Sequence, residues 1–357
     1  MLERYGWSDT LRHQFAAHAA EGLVPARVLV QQRGHYEIVA EAGELSATLA
    51  GKFAREAEEG GYPVAGDWVA AAARAGESAA IIRDVLPRKG VFKRRAAGPG
   101  AARMQVVAAN VDVALLVASL NGDLNLRRIE RYLAAAHESG ADPVIVLTKA
   151  DMCDDVLGRK AEVESVAFGA AVHAVSAVSG EGLDALKARL LPGNTAVLVG
   201  SSGAGKSTLV NAFAGEALMQ TRDISVDGQR GRHTTTHREL VLLPGGALIL
   251  DTPGMRELGL WDAGAGVTAA FGDVEELMTQ CRFNDCRHRG EPGCAVRAAL
   301  EVGTLEAERW EAYVKLQREL AFEKRKDDPR LRAETRKVWI RRHKDYRAKK
   351  KFEEGDE

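Results

Sequence analysis

The chain has 357 residues, 46% of them hydrophobic and 28% charged, and a formal net charge of −1. This is the ordinary composition of a folded protein, with enough material for two or three domains and a sizeable core. No apolar run approaches the ~20 residues that cross a bilayer, and Met1 to Trp7 lack a basic stretch followed by an apolar one, so a cytoplasmic protein without a signal peptide is expected.

Residues 1–22 read as an amphipathic helical segment, with Leu11, Phe15, His18 and Ala19 on one side and too little apolar surface to fold alone. From residue 23 the pattern becomes short alternating runs at 26–31, 36–40, 45–49, 67–70 and 80–85, punctuated by Gly34, Gly43, Gly51, Gly66 and Gly76. Such strands with turn residues between them predict a small closed barrel of the OB type over 23–95, with Trp68 in its core. Arg88, Lys89, Lys93, Arg94 and Arg95 then lead into Gly98-Pro99-Gly100, which reads as a basic linker. Its charges fit either solvation or contact with nucleic-acid phosphates.

Over 105–260 strands alternate with helices. Strands are predicted at 111–119, 143–147, 171–175, 195–199, 239–243 and 247–250, and helices at 126–138 and 183–191, the pattern of a mostly parallel, doubly wound sheet. Gly200-Ser201-Ser202-Gly203-Ala204-Gly205-Lys206-Ser207-Thr208 follows a strand and opens a helix, the setting of a G-x-x-x-x-G-K-[ST] phosphate loop. Its glycines let amide N–H groups turn toward a polyphosphate at the positive helix end. Lys206 is placed to reach the β- and γ-phosphates and Ser207 to ligate Mg²⁺.

Thr148-Lys149-Ala150-Asp151 ends a strand and resembles the guanine-reading Asn-Lys-x-Asp signature of GTPases, with Thr148 in place of the Asn. A carboxylate at Asp151 can accept from guanine N1–H and the N2 amino group, donors that adenine lacks. Ser176-Ala177 resembles the companion loop whose amide meets guanine O6. Asp251-Thr252-Pro253-Gly254 matches Asp-x-x-Gly, in which the Asp orients Mg²⁺ and the Gly amide senses the γ-phosphate. Gly231 to Thr236 fits the loop that supplies a threonine, Thr234 or Thr235, to Mg²⁺. Ordinary GTPases place the phosphate loop first, whereas here the guanine motif and Ser-Ala precede it, so the domain is circularly permuted. Met255 stands where many GTPases carry the glutamine that orients water, which makes His233 the nearest substitute; a packing or solvated role is its alternative.

Cys281, Cys286, His288 and Cys294 fall within 14 residues. Three thiolates and an imidazole suit one tetrahedral structural Zn²⁺, while Cys153 reads as an ordinary thiol. The segment 261–357 is expected to be α-rich, with a helix at 305–324. From Lys324 to Lys351, 14 Lys/Arg stand against 4 Asp/Glu, an excess of 10 interleaved with Trp339 and Tyr346. That composition suits an RNA contact or a solvated helix.

The motif order, the barrel before it and Cys-x₄-Cys-x-His-x₅-Cys after it together resemble the ribosome small-subunit-dependent GTPase A (RsgA) family. The resemblance covers roughly residues 23–325 and implies an N-terminal OB-like barrel, a circularly permuted α/β P-loop GTPase domain and a C-terminal α-rich zinc-binding domain. It further implies a monomeric factor that contacts 16S rRNA on the small (30S) ribosomal subunit late in maturation and leaves when GTP is hydrolysed to GDP. A metabolic or repair P-loop ATPase, and a zinc-stabilised RNA-binding module with a regulatory nucleotide site, are the competing readings.

Overall fold

The structure is a computed structural model that describes residues 1–32, 34–56, 60–73, 76, 78–95, 104–121, 124–215, 238–251 and 264–327. Its first folded unit is a closed five-stranded barrel: β1 (Val24–Gln32), β2 (His35–Ala40), β3 (Gly43–Leu49), β4 (Trp68–Ala73) and β5 (Ala79–Val85). The order β1-β2-β3-β5-β4 closes through a β1–β4 pairing, with β3 and β5 parallel. This is an OB-type barrel. Alternation puts Ala26, Val28, Ile38, Ala47, Val69 and Ile82 inside it, each nearly devoid of solvent exposure. The N-terminal segment folds as a short 3₁₀ turn, Leu2–Tyr5, and helix α1 (Asp9–Ala20), capped by the Ser8 hydroxyl. Leu2 and Phe15 are buried with Trp68, which is a core residue.

The sequence-predicted linker differs from what is found. Val91–Arg95 forms strand β6, paired antiparallel with β7 (Met104–Ala109) in a separate two-stranded ribbon, so β6 lies outside the barrel although it falls within 23–95. Arg88 is not a solvated charge either: its guanidinium holds both oxygens of the buried Asp67 at 2.8 and 2.7 Å. Periodicity over so few residues beside a glycine-rich run could not reveal that pairing.

The second unit is a sheet of β8 (Val113–Ser119), β9 (Asp142–Thr148), β10 (Ala171–Ala174), β11 (Thr195–Gly200), β12 (Arg238–Leu242) and β13 (Leu248–Asp251), in the order β10-β9-β8-β11-β13-β12. All pairings within it are parallel except β12–β13. Both faces are covered, which is why these strands read as continuous apolar runs. Helices α3 (Leu126–Ser139) and α4 (Val156–Glu164) pack on one face; α5 (Leu183–Lys187) and α6 (Lys206–Ala214) pack on the other. A short helix, α2 (Gly51–Glu56), follows β3 in the barrel.

Barrel and sheet are joined by backbone hydrogen bonds. A register shift between Val28 and Val30 bends β1 so that Val30 and Gln31 pair with Glu239 and Arg238 of β12. Beside this seam Arg27, 2% exposed, donates to Gly66 O, to Tyr5 O and, at 2.6 Å, to Thr195 Oγ1, and its guanidinium lies 5.3 Å from the Trp68 ring centre. Burial lowers the Arg27 pKa to about 10, against the opposing pull of Asp112 and Asp67.

The C-terminal unit contains α7 (Gly264–Ala270), α8 (Gly272–Thr279), α9 (Ala295–Val302) and α10 (Ala307–Asp327). Helix α7 lies so close to α3 that a Cβ on Gly266 would stand 2.1 Å from Ala134 O. Arg309, 4% exposed, clamps this assembly: it donates to Glu130 of α3 at 2.9 Å, to both oxygens of Asp273 of α8 at 3.0 and 2.7 Å, and to Ala270 O at 2.9 Å. The tail beyond Asp327 lies outside the described residues.

Candidate nucleotide and metal sites

The loops that matter all leave the same rim of the sheet, the carboxyl ends of its parallel strands, where open α/β sheets bind ligands. Gly200 closes β11 against Val117 of β8, and a Cβ there would stand 2.3 Å from Val117 O. Only glycine fits. Gly203 and Gly205 take φ of +78° and +86°, the left-handed turns that fold Ser201, Ser202 and Ala204 back over the amino end of α6. Lys206 opens the helix, and its Nζ donates to Gly200 O at 2.8 Å and Ser201 O at 2.5 Å, so the ammonium lies against the loop it belongs to. Ser207 is half-buried in the first turn and Thr208 is exposed beside it.

Thr148, at the end of β9, is buried, and its hydroxyl donates to Ala204 O at 2.6 Å. A bond is thereby made between the expected base-reading loop and the phosphate loop, 56 residues apart. Lys149 follows with φ +61°, and this left-handed step turns the chain so that Asp151 stands exposed on a one-turn helix, Ala150–Met152. The Ala150 amide donates to Val175 O at 3.2 Å, tying this turn to the 176–177 loop. There Ser176 is fully buried and its Oγ accepts from the amides of Val178 and Ser179, which fixes the turn that presents Ala177. Asp251 ends β13, the strand beside β11. Thus Thr148, Lys149, Asp151, Ser176, Ala177 and the 200–208 loop share one rim, together with the strand end at Asp251. His233, Thr234, Thr235 and Gly254 lie outside the described residues.

The second site joins α8 to α9. Ligand atoms of Cys281, Cys286, His288 and Cys294 all lie within 4.8 Å of one another. His288 Nδ1 is 3.6 Å from Cys281 Sγ and 3.5 Å from Cys294 Sγ. Burial, with the neighbouring sulfurs of Cys294 and Cys281, pushes the Cys286 thiol up to about 11. For Cys281 burial acts the same way, but hydrogen bonds from the Ala295 and Val296 amides, together with those from Cys286 and Cys294, outweigh it and lower the pKa. Three soft sulfurs and one imidazole converging so closely fit a tetrahedral metal ion with no position left for a substrate. Trp310 of α10 sits edge-on to His288, with ring centres 5.5 Å apart.

A family model described as RsgA GTPase matches residues 85–261. The small ribosomal subunit biogenesis GTPase RsgA of Opitutus terrae is 46% identical over 99% of this chain and 98% of that protein. The chain belongs to the RsgA GTPase family. A protein of the same name from Streptomyces coelicolor is 48% identical over 96% of this chain and 92% of its own length. Among solved structures, YjeQ from Thermotoga maritima has a TM-score of 0.64 at 27% identity, covering 84% of this chain and 98% of that one. YloQ, described as a circularly permuted GTPase, has a TM-score of 0.59 and covers 84% of this chain and 95% of that one; at 22% identity it supports the fold.

Within this RsgA-family chain, sequence reasoning missed some of the residues that hold the sites in place. The Thr148 hydroxyl had a signal, its position in the motif, but its partner Ala204 is distant in sequence. Arg309 and Glu130, 179 residues apart, had none.

Proposed function

We propose that this GTPase acts in biogenesis of the small ribosomal subunit, binding GTP on the 148–151, 176–177 and 200–208 loops and leaving the subunit once GTP has become GDP and phosphate. The observation that carries this reading is the convergence of those loops on one rim, in permuted order, with the Thr148 hydroxyl bound to the phosphate loop. The names of relatives 43–48% identical supply the cellular setting.

In this reading the Asp151 carboxylate accepts from guanine N1–H and N2–H, the Lys149 stem lies along the base, and the Ala177 amide donates to O6. Amides of the 200–208 loop and the Lys206 ammonium hold the phosphates, a positive cradle at a helix amino end. Ser207, Asp251 and either Thr234 or Thr235 would hold Mg²⁺, which supplies charge neutralisation on the β- and γ-phosphates. The Gly254 amide reports on the γ-phosphate. Met255 has no group to orient water, so the intrinsic reaction is slow and His233 positions the attacking water when the subunit is bound. Zn²⁺ at the Cys₃His cluster stabilises the C-terminal unit. The contacted RNA is 16S rRNA, and the protein works as a cytoplasmic monomer.

The deciding measurement is nucleotide turnover with and without purified small subunits. GTP hydrolysis should rise by orders of magnitude with subunits, ATP hydrolysis should not, and His233→Ala should remove the stimulation while leaving GTP affinity intact. Identical rates with and without subunits would reject the assignment to the subunit; stimulation that survives in the variant would reject His233.

A further inference from the structure

The loop that carries His288 takes its shape from one carboxylate. Glu291 Oε1 accepts the Arg287 amide at 3.2 Å, and Oε2 accepts the amides of Arg289 at 2.7 Å and Gly290 at 3.1 Å. Cys286 Sγ lies 3.9 Å from the same Oε2. These donors bracket His288 on both sides. Between them His288 adopts φ +57°, a left-handed conformation that a side-chain-bearing residue keeps only when its surroundings impose it. Glu291 is followed by Pro292, which restricts it to extended backbone, and Gly293 at φ +74° then turns the chain into Cys294. The backbone on either side of Glu291 is therefore constrained, and its side chain reaches back over the segment it organises.

We propose that Glu291 is the positioning residue of the metal site: its carboxylate fixes the 287–290 loop so that His288 Nδ1 faces the sulfurs of Cys281 and Cys294. The proposal rests on reading the Cys₃His cluster as a metal site. Both Glu291 oxygens are occupied by backbone amides, and the group of mutually close ligand atoms contains Cys281, Cys286, His288 and Cys294 without it. Glu291 thus shapes the ligand set rather than belonging to it. Outer partners of this kind typically change metal affinity by about 10- to 100-fold when replaced. A glutamine in its place has one acceptor oxygen and one NH₂ group, so at least one loop amide would face a donor instead of an acceptor.

The test uses the full chain, freed of metal by a chelator and titrated with Co²⁺, whose thiolate charge-transfer and d–d bands report tetrahedral sulfur coordination. Wild type should bind one Co²⁺ per chain with the tetrahedral spectrum. Glu291→Gln should give the same band shape, because all four ligands remain, but with affinity ~10- to 100-fold lower and faster loss of cobalt to a competing chelator. Glu291→Asp, which keeps the charge on a shorter stem, should fall between the two and decides the matter if the glutamine variant does not fold. GTP affinity on the same samples should match wild type. Unchanged cobalt affinity and exchange in either variant would overturn the positioning role. A changed band shape would overturn it too, by making Glu291 a ligand. Absence of cobalt binding by wild type would instead overturn the metal reading on which the proposal stands.

Discussion

At the scale of single residues, Thr148 and Asp151 differ in the parts proposed for them. Asp151 is exposed on its turn, as a base reader must be; Thr148 is buried and faces the phosphate loop. Asp151→Asn is expected to weaken GTP binding by about 2–3 kcal/mol, the cost of denying two guanine donors a charged acceptor, and to leave ATP binding almost untouched. Competition titrations with both nucleotides check this, and equal losses would show that Asp151 does not read the base. Thr148→Val keeps the shape but leaves the Ala204 carbonyl without its hydroxyl donor. It should lower stability by about 1–3 kcal/mol and weaken GTP and GDP alike, because the lost bond anchors the proposed phosphate loop rather than the base-reading turn. Thermal melts and calorimetry of both nucleotides give the answer; a selective loss of one nucleotide would contradict it.

The elements show what a sequence can and cannot reveal. The sheet strands were legible because burial on both faces makes them unbroken apolar runs, as in Val113 to Val117, and barrel strands such as β3 and β5 because one buried face makes them alternate. Strand β6 was not, since Lys93, Arg94 and Arg95 beside a glycine-rich run carry the composition of a linker. Long-range polar ties were invisible for a deeper reason: Arg309 on α10 is an ordinary surface-type residue until the fold brings Glu130 and Asp273 to it. Cys281 to Cys294 was the opposite case, a ligand set compact enough in sequence to be seen whole. The Arg309 clamp makes its own prediction. Arg309→Met removes the cation from a buried Glu130, and breaking a buried pair in this way typically costs about 3–5 kcal/mol. Glu130 retains Arg127 at 3.0 Å, so the loss should lie near the lower end, about 3 kcal/mol, and show as early melting of the C-terminal helices. Denaturation followed by helical circular dichroism would test it; a midpoint equal to wild type would show that the clamp contributes nothing net.

For the whole molecule, charge and connectivity act on different partners. The basic run 324–351 carries an excess of 10 cations. If it touches ribosomal RNA, truncation after Glu323 should flatten the salt dependence of subunit binding, since every phosphate that the tail no longer neutralises keeps its counterion. An unchanged slope would return the tail to solvent.

The β1–β12 seam has a different consequence, one for how the chain can be divided. Pairing of Val30 with Glu239 and of Gln31 with Arg238 covers the outer side of β12 (Arg238–Leu242) at its first two residues, which would otherwise present unpaired backbone groups there. Such a bare strand is a template for other chains. A chain beginning after residue 95 would therefore keep every nucleotide loop yet carry a sticky flank, and light scattering should rise with concentration where the intact protein stays clear. In this arrangement the barrel shields the start of β12 from pairing with another chain.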